Sequence, residues 1–136
     1  MDKKIREHFV EVIALARHVF ERVEVELDST PERAILRLNA QYGPYRVFIT
    51  ELFSEQMRKY RYYVLRDNWV EAGFDNSPDP RALRLKYGHI GEEHVGEHIP
   101  HLHLDNKTRL SLTEEMTFEA FVDWLRGNLP VIDVKN

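Results

Sequence analysis

Five of the seven histidines fall between positions 89 and 103, and the stretch "HIPHLHLDNK" at 98–107 sets three imidazoles within six residues. Imidazole changes its charge near neutrality, so metal ligation and proton transfer are the two chemistries to consider first. On a strand, residues i and i+2 share a face about 7 Å apart, a span across which two rings can lean in to one ion. His101 and His103 have that spacing, and His98, His94, Glu97 or Asp105 could supply a third ligand. The spacing H-x-x-H-x-H lacks the specificity of a motif such as H-E-x-x-H, however. No cofactor is therefore expected; the alternative is a divalent metal such as zinc on His98, His101 and His103.

The metal-free chemistry is cleavage of an RNA phosphodiester through its 2′-hydroxyl. That reaction needs a base, an acid for the leaving oxygen and a cation for the phosphorane charge. His101 and His103 can take the two proton roles, with Arg61 or Arg46 on the phosphate, provided their strands present one face. Asp75, in "FDNSPDP", could orient a histidine through its second ring nitrogen, although Asp75, Asn76 and Pro78 are also an ordinary turn signal. The segment "KYRYYVLR" interleaves Tyr60, Tyr62 and Tyr63 with Lys59, Arg61 and Arg66. Such a mixture of stacking rings and cations suits single-stranded nucleic acid, and Arg46, Arg61 and Tyr62 are the expected contacts. It equally describes a strand with one aromatic side in the core.

These residues have to be positioned by an α+β fold. Residues 3–20 place Ile5, Phe9, Val12, Ile13, Ala16, Val19 and Phe20 on one helical stripe, leaving His8 and His18 at the surface. From Val23 the period becomes two: "VEVELD", "RAILRLNA", "YRVFITELF", "KYRYYVLR" and "WVEAGFD" read as strands separated by short turns at Gly43-Pro44, 54–58 and Asp67-Asn68. Short turns between successive strands imply a mainly antiparallel meander sheet. Residues 76–98 read as a long loop with a turn of helix near Arg81 to Lys86. "IPHLHLDNKTRLSL" reads as a hairpin with Leu102, Leu104, Leu110 and Leu112 inward and His101 and His103 pointing outward. A last helix starts at Thr117 as N-cap, with Met116 stapled on Phe121 and Gly127 closing it. The N-terminal and C-terminal helices pack on one face of the sheet, and residues 130–136 form a tail or a short edge strand.

Length and composition limit the rest. With 136 residues and 43% apolar content, the chain fits one domain over 1–136. Cysteine is absent, which removes disulfides, thiolate nucleophiles and cysteine-based zinc sites. No secretory leader or membrane-length apolar run is recognisable, so a cytoplasmic location without membrane association is expected. The net charge of −4 is unevenly spread: positions 33–87 carry ten Lys/Arg against six Asp/Glu, the ends nine against seventeen. Such a basic middle serves a phosphate partner only if it gathers on one face. There is no Walker loop, no G-x-G-x-x-G after a strand and no G-x-S-x-G elbow.

Tyr60-Arg61-Tyr62, then Phe74-Asp75-Asn76-Ser77-Pro78, then Pro100-His101 with His103, then a Thr-initiated helix, together resemble the TumE family of toxin–antitoxin proteins over residues 33–128. The family pattern carries a histidine pair where this chain has Asp79-Pro80, and a second histidine where it has Leu102. The resemblance implies a small cytoplasmic toxin held silent by a helix-turn-helix antitoxin. Ribonuclease activity is an expectation from the His, Arg and Tyr placement, with RNA as a further partner and self-association open. The rival reading is a non-catalytic module that binds a partner protein or a metal through its histidine hairpin.

Overall fold

The computed structural model describes residues 2–55, 57–89 and 91–131, and the expected tail falls largely outside them. Helix α1 (Lys3–Val19) begins where the Asp2 carboxylate accepts from the amide of Lys4 at 2.6 Å, and buries Phe9, Val12 and Ala16. Five strands follow: β1 (Glu21–Ser29), β2 (Arg33–Tyr42), β3 (Tyr45–Ser54), β4 (Arg58–Arg66) and β5 (Trp69–Asp75). After the short helix α2 (Pro80–Tyr87) and one 3-10 turn (Glu92–His94) come β6 (His101–Leu104), β7 (Arg109–Leu112) and helix α3 (Phe118–Asn128). Among the described residues the strands form one antiparallel sheet in the order β1-β2-β3-β4-β5-β6-β7, the expected meander of an α+β fold.

Local chemistry sets the turns. Gly43 takes φ +56° between β2 and β3, and Asp67 takes φ 53° in the two-residue connection to β5. Asp79 caps α2 by accepting from the Arg81 amide at 2.8 Å, Pro80 supplies its first residue, and Gly88 ends it in the left-handed region. Thr117 caps α3 by accepting from the Ala120 amide. Gly127 does not close that helix: it lies within α3, which runs on to Asn128 and is capped by Leu129.

The two faces of the sheet differ. One packs Ala34, Leu36, Leu38, Val47, Ile49, Tyr62, Val64, Ala72, Phe74 and Leu102 against α1 and α3, including Phe121 and Leu125. Burying a large apolar side chain in such a core contributes about 1.5–3 kcal/mol. The opposite face carries the alternate residues, and α2 covers only its β5–β7 end, where Ala82, Leu83 and Ile99 make a small second cluster with Leu110 and Tyr87. The β6–β7 hairpin therefore departs from expectation. Leu110 and Leu112 pair with His103 and His101, so they share the histidine face and not the face of Leu102.

Candidate functional site

Register brings the site together. Arg61 pairs with Asp75 and Asp75 with His101, which puts three polar residues in one row across β4, β5 and β6. In the next row Tyr63 pairs with Gly73 and Gly73 with His103. A Cβ on Gly73 would come within 2.7 Å of the Tyr63 ring, so the ring lies in the space a side chain would occupy. Tyr63 then reaches along the sheet to donate to Asp75 Oδ2 at 3.1 Å.

His101 and His103 lie on the same face as Arg46 and Arg61, but they are not surface groups. They are only 1% and 4% exposed, because α2 and the segment leading into β6 lie over this end of the sheet. Chain geometry fixes their protons. The Arg81 guanidinium, which can only donate, reaches Nδ1 of His103 at 3.4 Å, so that nitrogen accepts. Nε2 of His103 then donates to Nε2 of His101 at 3.1 Å, and Nδ1 of His101 donates to the Ile99 carbonyl at 2.6 Å. Burial, reinforced by the neighbouring His101, depresses the His103 pKa to about 4, in keeping with a neutral ring.

The carboxylates around the pair stay ionised. Burial alone would raise the Asp75 pKa, but hydrogen bonds from Ser77, the closest at 2.6 Å, and from Tyr63 outweigh it and the net shift is downward. Asp79 is lowered in the same way, its bond from the Arg81 amide overcoming burial. Burial pushes the Tyr63 phenol up to about 12, which keeps it a donor. Asp75, His101 and His103 each offer a ligand atom, all within 4.8 Å of one another, an arrangement that can hold a metal ion.

Two expected contributors lie elsewhere. His98 turns its Nδ1 to the Asn76 carbonyl at 3.1 Å and is not part of this group, so the ligand set His98, His101 and His103 is replaced by one with Asp75 in its place. Tyr62 is fully buried on the helix-covered face, stacked on Phe121, and cannot contact nucleic acid. Tyr63 points to the opposite face but is itself only 7% exposed, with Arg61 4.8 Å and Lys107 5.1 Å from its ring centroid. Arg46 is exposed on the same face, bonded to Asn39 at 3.0 Å and 5.8 Å from the Phe48 ring centroid. Phe48, Thr50, Arg61, Tyr63 and Leu65 line a shallow groove there.

A second polar cluster is buried under α1. Glu51 is fully buried and accepts from His8 at 2.6 Å, from Arg58 at 3.3 Å and from the Tyr62 hydroxyl. His8 is half-buried rather than a free surface histidine, its ring packed edge-on against Phe53 with 35% of the side chain exposed, while His18 is exposed as expected. Glu51 was legible, since Val47, Ile49 and Glu51 share one phase of β3. Asp79 could also have been found, because Asp-Pro before a helical stretch is a capping signal.

Comparison of the chain with family models, with curated proteins and with solved structures finds no match.

Proposed function

We propose that this protein acts on RNA as the toxin-like component of a toxin–antitoxin pair, taking single-stranded RNA across the open face of β2, β3 and β4. The observation that carries this reading is the composition of that face. Arg37, Arg46 and Arg61 are exposed on it around Phe48 at 42% exposure, while the Tyr63 ring, 7% exposed, lies beneath Arg61 and Lys107. Cations that track phosphates beside rings that stack on bases are what a sequence-tolerant single-strand surface requires. The resemblance to the TumE family supplies the toxin role and the helix-turn-helix partner.

In this reading RNA on the face ends at the rim of the covered Asp75–His101–His103 row, whose side chains are buried. Arg61, half-exposed and 3.9 Å from Asp75, meets the phosphate at the boundary between the open face and the covered cluster. Asp75 and the Ile99 carbonyl orient the two imidazole rings.

Binding is tested by titrating a labelled single-stranded RNA with the full-length, metal-free protein at several salt concentrations. Replacing both Arg46 and Arg61 with alanine is expected to weaken binding and to flatten the plot of log affinity against log salt by about 1.4, two phosphate contacts at ~0.7 each. An unchanged slope would remove the RNA reading.

A further inference from the structure

We propose that Asp75, His101 and His103 bind one divalent transition-metal ion of the zinc class, with water completing its coordination. The inference stands on donor geometry alone, whichever substrate the open face takes. A four-coordinate ion with ligand bonds of about 2.0–2.2 Å holds its ligand atoms about 3.4 Å from one another. From Nε2 of His101 the distances are 3.1 Å to Nε2 of His103, 3.9 Å to Asp75 Oδ1 and 4.0 Å to Asp79 Oδ2. Asp75 faces that nitrogen from beyond hydrogen-bond range, so the donor atoms of Asp75, His101 and His103, all within 4.8 Å of one another, flank a gap that small side-chain rotations fit to an ion. Two imidazole nitrogens with carboxylate oxygens suit zinc or its neighbours; calcium and magnesium take oxygen-dominated sets.

The outer contacts aim the donors inward. The Ile99 carbonyl holds Nδ1–H of His101 and turns Nε2 toward the gap. Tyr63 holds the second oxygen of Asp75. Asp79 stays outside the ligand set: the Arg81 amide holds its Oδ1 as part of the α2 cap, and the Arg81 guanidinium reaches its Oδ2 at 3.4 Å. Asp75, at 5% exposure, needs positive charge nearby, yet the Arg61 nitrogen stands 3.9 Å off on a half-exposed side chain. An ion in the gap supplies that charge directly. On binding, the His103 proton passes from Nε2 to Nδ1, the freed Nε2 pair bonds the metal, and the ion sheds coordinated water. Arg81, whose side chain is 44% exposed, swings off Nδ1 to allow the change.

The test uses chelator-treated, full-length protein titrated with zinc and, separately, with cobalt(II), whose visible bands are intense only in four-coordinate sites. One equivalent per chain, intense cobalt bands and a raised melting temperature are expected. His101→Gln and Asp75→Asn should each weaken binding at least about tenfold, whereas His94→Gln, at a ring stacked on Tyr87 outside the cluster, should not. Should the buried variants fail to fold, Arg81→Gln decides. Its side-chain oxygen can accept from Nδ1–H, so this variant should bind at least as tightly as the parent. Absent or weak cobalt bands, full affinity in His101→Gln, lost affinity in His94→Gln, or weaker binding in Arg81→Gln would each overturn the site. The salt-dependent RNA titration is run without metal, so either idea can fail alone.

Discussion

The two faces of the sheet each bury a carboxylate beside histidine, and the two clusters are finished to different degrees. Under α1, Glu51 has every partner it needs: His8, Tyr62 and Arg58 all donate to it, and Arg58 is held from behind by Glu115 at 2.9 Å. Under α2, Asp75 is met by a phenol and an amide, its nearest arginine nitrogen stands at 3.9 Å, and two histidines bond each other. The first is a closed ion-pair network that ties α1 to β3 and β4. The second keeps donor atoms aimed at a gap, covered by α2 and bordered by the half-exposed Arg61. Residue types alone do not tell structure from chemistry; what separates these clusters is whether the donors and acceptors satisfy one another.

The largest effect should come from cutting the charge out of each cluster in turn. Glu51→Gln leaves Arg58 and His8 without their buried counterion and should cost about 3 kcal/mol. Asp75→Asn, which can keep one acceptor for Ser77, should cost about 1 kcal/mol. Urea unfolding midpoints measure both. Equal losses would mean that the Asp75 cluster is as structural as the Glu51 one.

A smaller effect is the pH dependence of the closed network. The hydrogen bond it donates to Glu51 raises the His8 pKa above its ordinary 6.5, outweighing burial. A raised group stabilises fully below its unfolded value, and that stability is lost as pH rises through the folded value. For Glu51, burial pushes upward but the bonds from His8 and Tyr62 bring the net shift below the ordinary 4.5, so its contribution is present above that value and lost as pH falls through the lowered one. The network is therefore strongest between about 4.5 and 6.5. Melting temperatures from pH 5 to 9 should decline above 6.5 in the parent and decline less in His8→Gln; parallel curves would detach His8 from the network.

Much of this was readable in the sequence. Alternation in "RAILRLNA" and "HLHL" put the leucines and the histidines on opposite faces, and the α1 stripe and the Thr117 cap stand where pattern and capping chemistry place them. Three features escaped for physical reasons. In "YYV" three consecutive residues are apolar enough for the core, so the phase of β4 was ambiguous and Tyr62 stood in for Tyr63. The cover over His101 and His103 comes from α2, whose position no local pattern encodes.

The third is the register itself. The Asp67-Asn68 turn fixes Arg66 opposite Trp69, and simple counting would then oppose Arg61 to Phe74. A bulge between Val64 and Leu65 pairing, with the extra residue in β5, shifts the ladder by one and opposes Arg61 to Asp75. One residue of slip decides whether the guanidinium meets the carboxylate.

The central claim is that the face opposite α1 and α3 does the work of this protein while the helix-covered face holds it together. Induced expression in a bacterial host, with growth followed over several generations, tests that most directly. The account predicts arrest by the parent chain and normal growth with the Arg61→Ala, His101→Gln, His103→Gln triple variant, provided the variant keeps the parent's circular dichroism. Arrest by that folded triple variant as strong as by the parent, or no arrest by the parent, would contradict it.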